Sequence, residues 1–150
     1  MASIPPTLSG LSTYLLAQTG KRARTRLAHR LGERGLRLWD LAVLATLDDV
    51  GPQSQRDVGA RFGIHPSDVT KVVDELAERG LVSRERDPAD RRRVVLALTA
   101  PGRRLLAGLR KDAAAVQDQV LAPLSAQERD VLHGLLLRVH DGLDAADDDA

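Results

Sequence analysis

The sequence predicts a mainly α fold carrying one β-hairpin, and three observations make that prediction. Leu and Ala contribute 25 and 20 of the 150 residues, against only three aromatics, and both favour helix. Apolar residues recur at helical spacing over long stretches at both ends of the chain. A single region, 81–98, has the strand-length runs and turn residues of a hairpin.

The elements follow in order. Residues 1–7, with Pro5-Pro6, read as an irregular lead-in. Residues 8–34 space Leu8, Leu11, Leu15, Leu16, Ala23, Leu27 and Leu31 as one long helix, with Gly32 and Gly35 at its end. Residues 38–50 form a second, more apolar helix that Gly51-Pro52 stops. Ser54 opens a short helix to Phe62, with Asp57 three residues on in a capping-box-like pair. Gly63-Ile64-His65 is a tight turn, and Pro66 suits the first position of the next helix, where its missing N–H costs nothing. That helix runs to about Arg79 and ends at Gly80; its Val69, Val72, Val73, Leu76 and Ala77 make a one-sided apolar stripe.

Residues 81–84 and 93–98 then read as strands around Asp87-Pro88-Ala89-Asp90, which is turn chemistry. Thr99 is placed to cap a helix with Pro101 just inside it, running to near Leu121 before Pro123 breaks it. Ser125 and Glu128 form a capping box that opens a last amphipathic helix through Val131, Leu132, Leu135, Leu136, Val139 and Leu143. Two short helices joined by a tight turn and followed by a hairpin make a winged helix-turn-helix, expected here at 37–99 with a two-stranded β wing. The long flanking helices, about 8–34 and 100–146, carry apolar stripes that ask for a partner, and a second copy of the chain would supply one.

Composition narrows the function. With no cysteine, disulfides, thiolate metal sites and thiol redox switches are excluded. No G-x-S-x-G, phosphate-binding Gly loop or H-E-x-x-H occurs, so no enzyme and no cofactor is expected. His29, His65, His133 and His140 are scattered, which argues against a metal site. The first ten residues lack a secretory pattern and no apolar run approaches a membrane span, so the expected compartment is the cytoplasm, with no membrane partner. Net charge is only +1, but residues 1–111 carry 20 Lys or Arg against 12 Asp or Glu, whereas residues 112–150 carry 2 against 9. A basic body with an acidic end suits a polyanion on one face.

Two stretches carry candidate chemistry. The N-terminal part of the 66–79 helix offers Ser67, Asp68, Thr70 and Lys71 opposite its apolar stripe. Short donors and acceptors with one cation are what a helix needs to approach base edges in a major groove. The hairpin tip, Asp90-Arg91-Arg92-Arg93, places a carboxylate before three guanidiniums. Guanidinium forks onto phosphate and suits the negative potential of a narrow minor groove.

DPADRRRVVLALT followed by Gly102 resembles the wing signature of the MarR (multiple antibiotic resistance regulator) family. HPSDVTKVVDELAERGLVSR is similar to that family's recognition helix and first wing strand, and LWDLAVLATLDDVGPQSQRDVGARFGI to its second and third helices, so the likeness covers about residues 10–143. It implies a homodimeric, double-stranded-DNA-binding transcriptional regulator on a pseudo-palindromic operator, repressing transcription until a small aromatic or phenolic effector binds. Carried over, Arg92 is the wing-tip arginine braced by Asp90; Arg91 and Arg93 contact phosphate; Ser67, Thr70 and Lys71 face the groove; Ser54 and Gln55 begin the preceding helix near phosphate. His29 and Trp39 are candidates to line an effector cleft. The competing readings are an architectural DNA binder without an effector and a protein-interaction module that keeps the winged fold.

Overall fold

The structure is a computed structural model that describes residues 4–148. Its helices are α1 (Pro6–Ser9), α2 (Ser12–Gly32), α3 (Leu38–Asp49), α4 (Gln55–Phe62), α5 (Pro66–Glu78), α6 (Ala100–Val120) and α7 (Ala126–Asp148). Three short strands, β1 (Gln53–Ser54), β2 (Val82–Arg86) and β3 (Val94–Leu98), form an antiparallel sheet in the order β1-β3-β2. No helix among the described residues is long and apolar enough to cross a membrane.

Two elements differ from the sequence-based expectation. The single helix expected from residue 8 is broken: Gly10 ends α1, and Leu11 has extended backbone, φ −98° and ψ 109°, before α2 starts. Glycine is a weak helix former, and nothing buried spans the break, since neither α1 nor the first turns of α2 has a buried residue. The wing gains a third strand. Gln53 pairs with Leu96 and Ser54 with Val95, a two-residue ladder too short to leave an alternation signal. The helix starts follow the expected caps. Ser54 Oγ accepts from Asp57 N at 3.0 Å, Thr99 Oγ1 from Gly102 N at 3.1 Å, and Ser125 exchanges both capping-box bonds with Glu128.

The core lies in the middle of the chain, where Leu44, Val58, Val73, Leu76, Leu96 and Leu106 are fully enclosed between α3, α4, α5, the sheet and α6. Gly102 sets how closely α6 approaches that sheet. A Cβ there would lie 2.1 Å from the Leu81 carbonyl oxygen and 2.7 Å from Leu98 Cδ1. Gly102→Ala must therefore push backbone apart. We expect it to cost about 3 kcal/mol, the upper range for overpacking, and to lower Tm by roughly 5–10 °C in a thermal melt.

A buried carboxylate ties the end of α2 and the turn after it to α6. Asp112 accepts from Arg34 Nε at 2.6 Å and from Arg30 Nε at 3.1 Å. The Arg34 hydrogen bond, helped by Arg30 and opposed by burial, holds the Asp112 carboxyl below the usual carboxylate range. A depressed folded pKa means the contribution is complete above the unfolded value, about 4, and is lost as pH falls through the folded one. Asp112→Asn should lower Tm at pH 7, and the gap to the unaltered protein should narrow in melts below about pH 4.

The two ends of the chain are less covered. None of residues 126–145 of α7 is buried. Val131, Leu135, Leu136, Leu137, Val139 and Leu143 are all exposed, as are Leu11 just before α2 and Leu15 and Leu16 on it. Such contiguous apolar exposure marks an interaction face.

Candidate nucleic-acid interface

The helix-turn-helix is built by local chemistry. Gly63 adopts left-handed backbone, φ 60°, where α4 ends, and Ile64 N donates to Gly59 O at 3.0 Å. Gly59 itself allows close packing, because a Cβ there would lie 2.8 Å from Val69 Cγ2. His65 is the N-cap of α5: its Nδ1 accepts from Ser67 N at 3.3 Å and lies 2.7 Å from Ser67 Oγ. Asp68 stays exposed in the first turn of α5, where a carboxylate suits the helix dipole.

An open cleft of about 1180 Å³ lies between the start of α4, the start of α5 and the β2–β3 turn. Of the expected residues, Ser54, Gln55, Thr70, Asp90, Arg92 and Arg93 border it, and Ser67, Lys71 and Arg91 lie exposed outside its lining. Gln55 and Thr70 are joined: Gln55 Nε2 donates to Thr70 Oγ1 at 3.0 Å, and Thr70 Oγ1 donates to Pro66 O at 3.0 Å. The Thr70 hydroxyl is thereby engaged, while Gln55 keeps its amide oxygen free of any partner among the described residues.

Ser54 departs from the expected phosphate contact. It is 4% exposed, its hydroxyl is spent on the cap, and its backbone is held in β1. Asp90 also works differently from a brace on a guanidinium. Its Oδ1 accepts from the Arg92 backbone N at 3.0 Å and its carbonyl from Arg93 N at 2.9 Å, so it shapes the turn through the backbone. Arg93 Nη2 pairs with Asp57 Oδ2 at 2.8 Å. Hydrogen bonding from Ser54 first, then from Arg93, holds the Asp57 carboxyl below its ordinary range, with burial opposing. Among the described residues, the Arg91 and Arg92 guanidiniums make no ion pair or hydrogen bond. Arg56, in the first turn of α4, also borders the cleft. It escaped the sequence reading, and its position beside Gln55 was the only signal.

The residues expected at an effector cleft are not brought together. His29 is exposed beside a groove of about 490 Å³ between α2 and α6, with Arg26, Arg30 and Gln119. Trp39 lies outside that groove. It is partly buried against the core and tilted onto Phe62, with ring centroids 6.1 Å apart. Among the described residues no three His, Asp or Glu side chains gather as a metal site requires.

A capped helix pair, a three-stranded wing and an open cleft between them define a winged helix-turn-helix protein. The chain belongs to the MarR family. Residues 25–93 match that family's model, and YkoM of Bacillus subtilis, named an HTH-type transcriptional regulator, is 35% identical over 69% of this chain and 68% of its own. The chain spans about half the length of other curated relatives it matches: YcgE of Bacillus subtilis, 40% identical, aligns over 49% of each chain. Two solved structures are similar over most of both chains. PcaV of Streptomyces coelicolor, a transcriptional regulator in complex with its natural ligand, is 33% identical with a TM-score of 0.73 over 94% of this chain and 98% of its own. CouR, a transcriptional repressor bound to a 23-mer DNA duplex, is 29% identical with a TM-score of 0.82 over 93% and 99%.

Proposed function

We propose that the protein is a sequence-specific, double-stranded-DNA-binding transcriptional regulator that acts as a homodimer and represses until a small-molecule effector binds. One observation carries the reading: α4, α5 and the wing converge on one cleft edged by Gln55 and Thr70, with Arg92 unpaired on its wing side. The start of α5, with Ser67, Thr70 and Lys71, enters a major groove, and Arg91 and Arg92 reach phosphate and the neighbouring minor groove. The apolar faces of α2 and α7 join two copies, which places the two α5 helices on half-sites about 10 bp apart. The DNA complex of CouR and the ligand complex of PcaV support the two halves of this reading. The groove beside His29 falls in the size range of small-molecule sites, roughly 300–1,000 Å³, and offers Arg26 to an aromatic or phenolic anion, Arg30 being paired with Glu33 and Asp112. The family's role as regulators rather than enzymes fits a site without catalytic groups, and such a regulator works in the cytoplasm.

The test is fluorescence anisotropy across a salt titration, with the duplex flanking the protein's own gene and a scrambled duplex of equal length. Preference for the flanking duplex at one dimer per site supports a site-specific regulator. Equal weak binding to both, lost as salt rises, fits an architectural binder or an operator located elsewhere. Absence of binding at low salt removes DNA from the reading.

A further inference from the structure

We propose that Arg93 is a positioning residue that latches the wing to α4 through Asp57, and is not one of the DNA contacts. The inference rests on the DNA-binding reading above and refines it. Arg93 sits where the wing turn closes, its N–H donating to Asp90 O and its carbonyl accepting from Asp87 N, both at 2.9 Å. Its side chain reaches away from the tip to Asp57, 36 residues earlier, at 2.8 Å. Asp57 is held in turn, since its backbone N–H is capped by Ser54, and Ser54 pairs with Val95 two residues beyond Arg93. The wing base is thus fastened to α4 twice, once through the β1–β3 ladder and once through the Arg93–Asp57 pair. The tip beyond is held by its own turn bonds, by Arg86 Nη1 donating to Arg91 O at 3.0 Å, and by nothing else among the described residues.

Charge gives a second reason. Asp57 borders the cleft that faces the polyanion, alongside Asp90, Arg56, Arg92 and Arg93. If Arg93 swung out to phosphate, the Asp57 carboxylate would be left facing DNA with its close cation gone. Kept in place, Arg93 cancels that charge and aims Arg91 and Arg92, its unpaired neighbours.

The absence of cysteine permits a direct test. A nitroxide on Ala89→Cys reports wing mobility without DNA. The charge-balanced pair Asp57→Asn with Arg93→Gln should sharpen its spectrum, whereas Arg91→Gln should leave it unchanged. In the anisotropy assay the same pair should weaken specific binding about two- to fivefold, the scale of one exposed ion pair, with the salt slope of the unaltered protein. Arg91→Gln, which removes a phosphate contact from each protomer of the dimer, should lower that slope by about two. An unchanged spectrum, or a slope lowered by about two in the Asp57/Arg93 pair, overturns the latch. Failure of the unaltered protein to bind either duplex is a different result, which overturns the DNA reading and leaves the spectrum to judge the latch alone.

Discussion

Leu135→Asp is expected to turn the protein into a monomer that has lost specific DNA binding. Leu135 is half exposed on α7 among Val131, Leu136, Val139 and Leu143, and a two-fold interface counts each change twice. Losing the burial of one Leu costs about 1.5–3 kcal/mol per copy, before the cost of burying a carboxylate in its place. Dimer dissociation should therefore strengthen at least about 100-fold. Sedimentation velocity reads the mass directly. Circular dichroism should stay unchanged, because Leu135 lies outside the protomer core. A dimer that survives the substitution places the interface away from this face of α7.

Arg92→Ala is the second large effect. The guanidinium borders the cleft, carries no partner among the described residues, and sits on a backbone amide that Asp90 Oδ1 holds at 3.0 Å. Removing it should cost about 1–3 kcal/mol per protomer in specific binding, the range for a lost base or groove contact, while Tm stays unchanged because no fold contact is lost. Anisotropy at fixed salt measures the loss. Equal affinity in the variant shows that the wing tip does not touch DNA.

Much of the chain was legible because its information is local. Ser54, Thr99 and Ser125 announce helix starts through bonds that span three residues, Pro66 does so through its missing N–H, and each start is where those residues place it. The apolar stripe of Val69, Val72, Val73 and Leu76 is the buried face of α5. The candidate site was less legible. That His65 caps α5 depends on a ring nitrogen acting where an oxygen usually does. That Ser54 is held in a strand as well as capping α4 depends on β1, and β1 exists because Gln53 and Ser54 meet Leu96 and Val95 across the fold.

Arginine shows the limit most clearly. Three consecutive guanidiniums, Arg91, Arg92 and Arg93, are alike in sequence, and the structure separates them: Arg93 is paired and its two neighbours are not. Arg30 and Arg34 likewise read as surface charge until packing brings Asp112, 82 and 78 residues away, between them. By itself the sequence determined where the helices from α3 onward begin and stop, though not the break at Gly10, where the hairpin turns, which faces are apolar and which family the chain resembles. The tertiary structure alone decided the third strand, the enclosed carboxylate and the guanidiniums left free. Caps, turns and stripes are settled by neighbours within about one helical turn, whereas the partner of a long charged side chain is settled by which distant element packs within its reach.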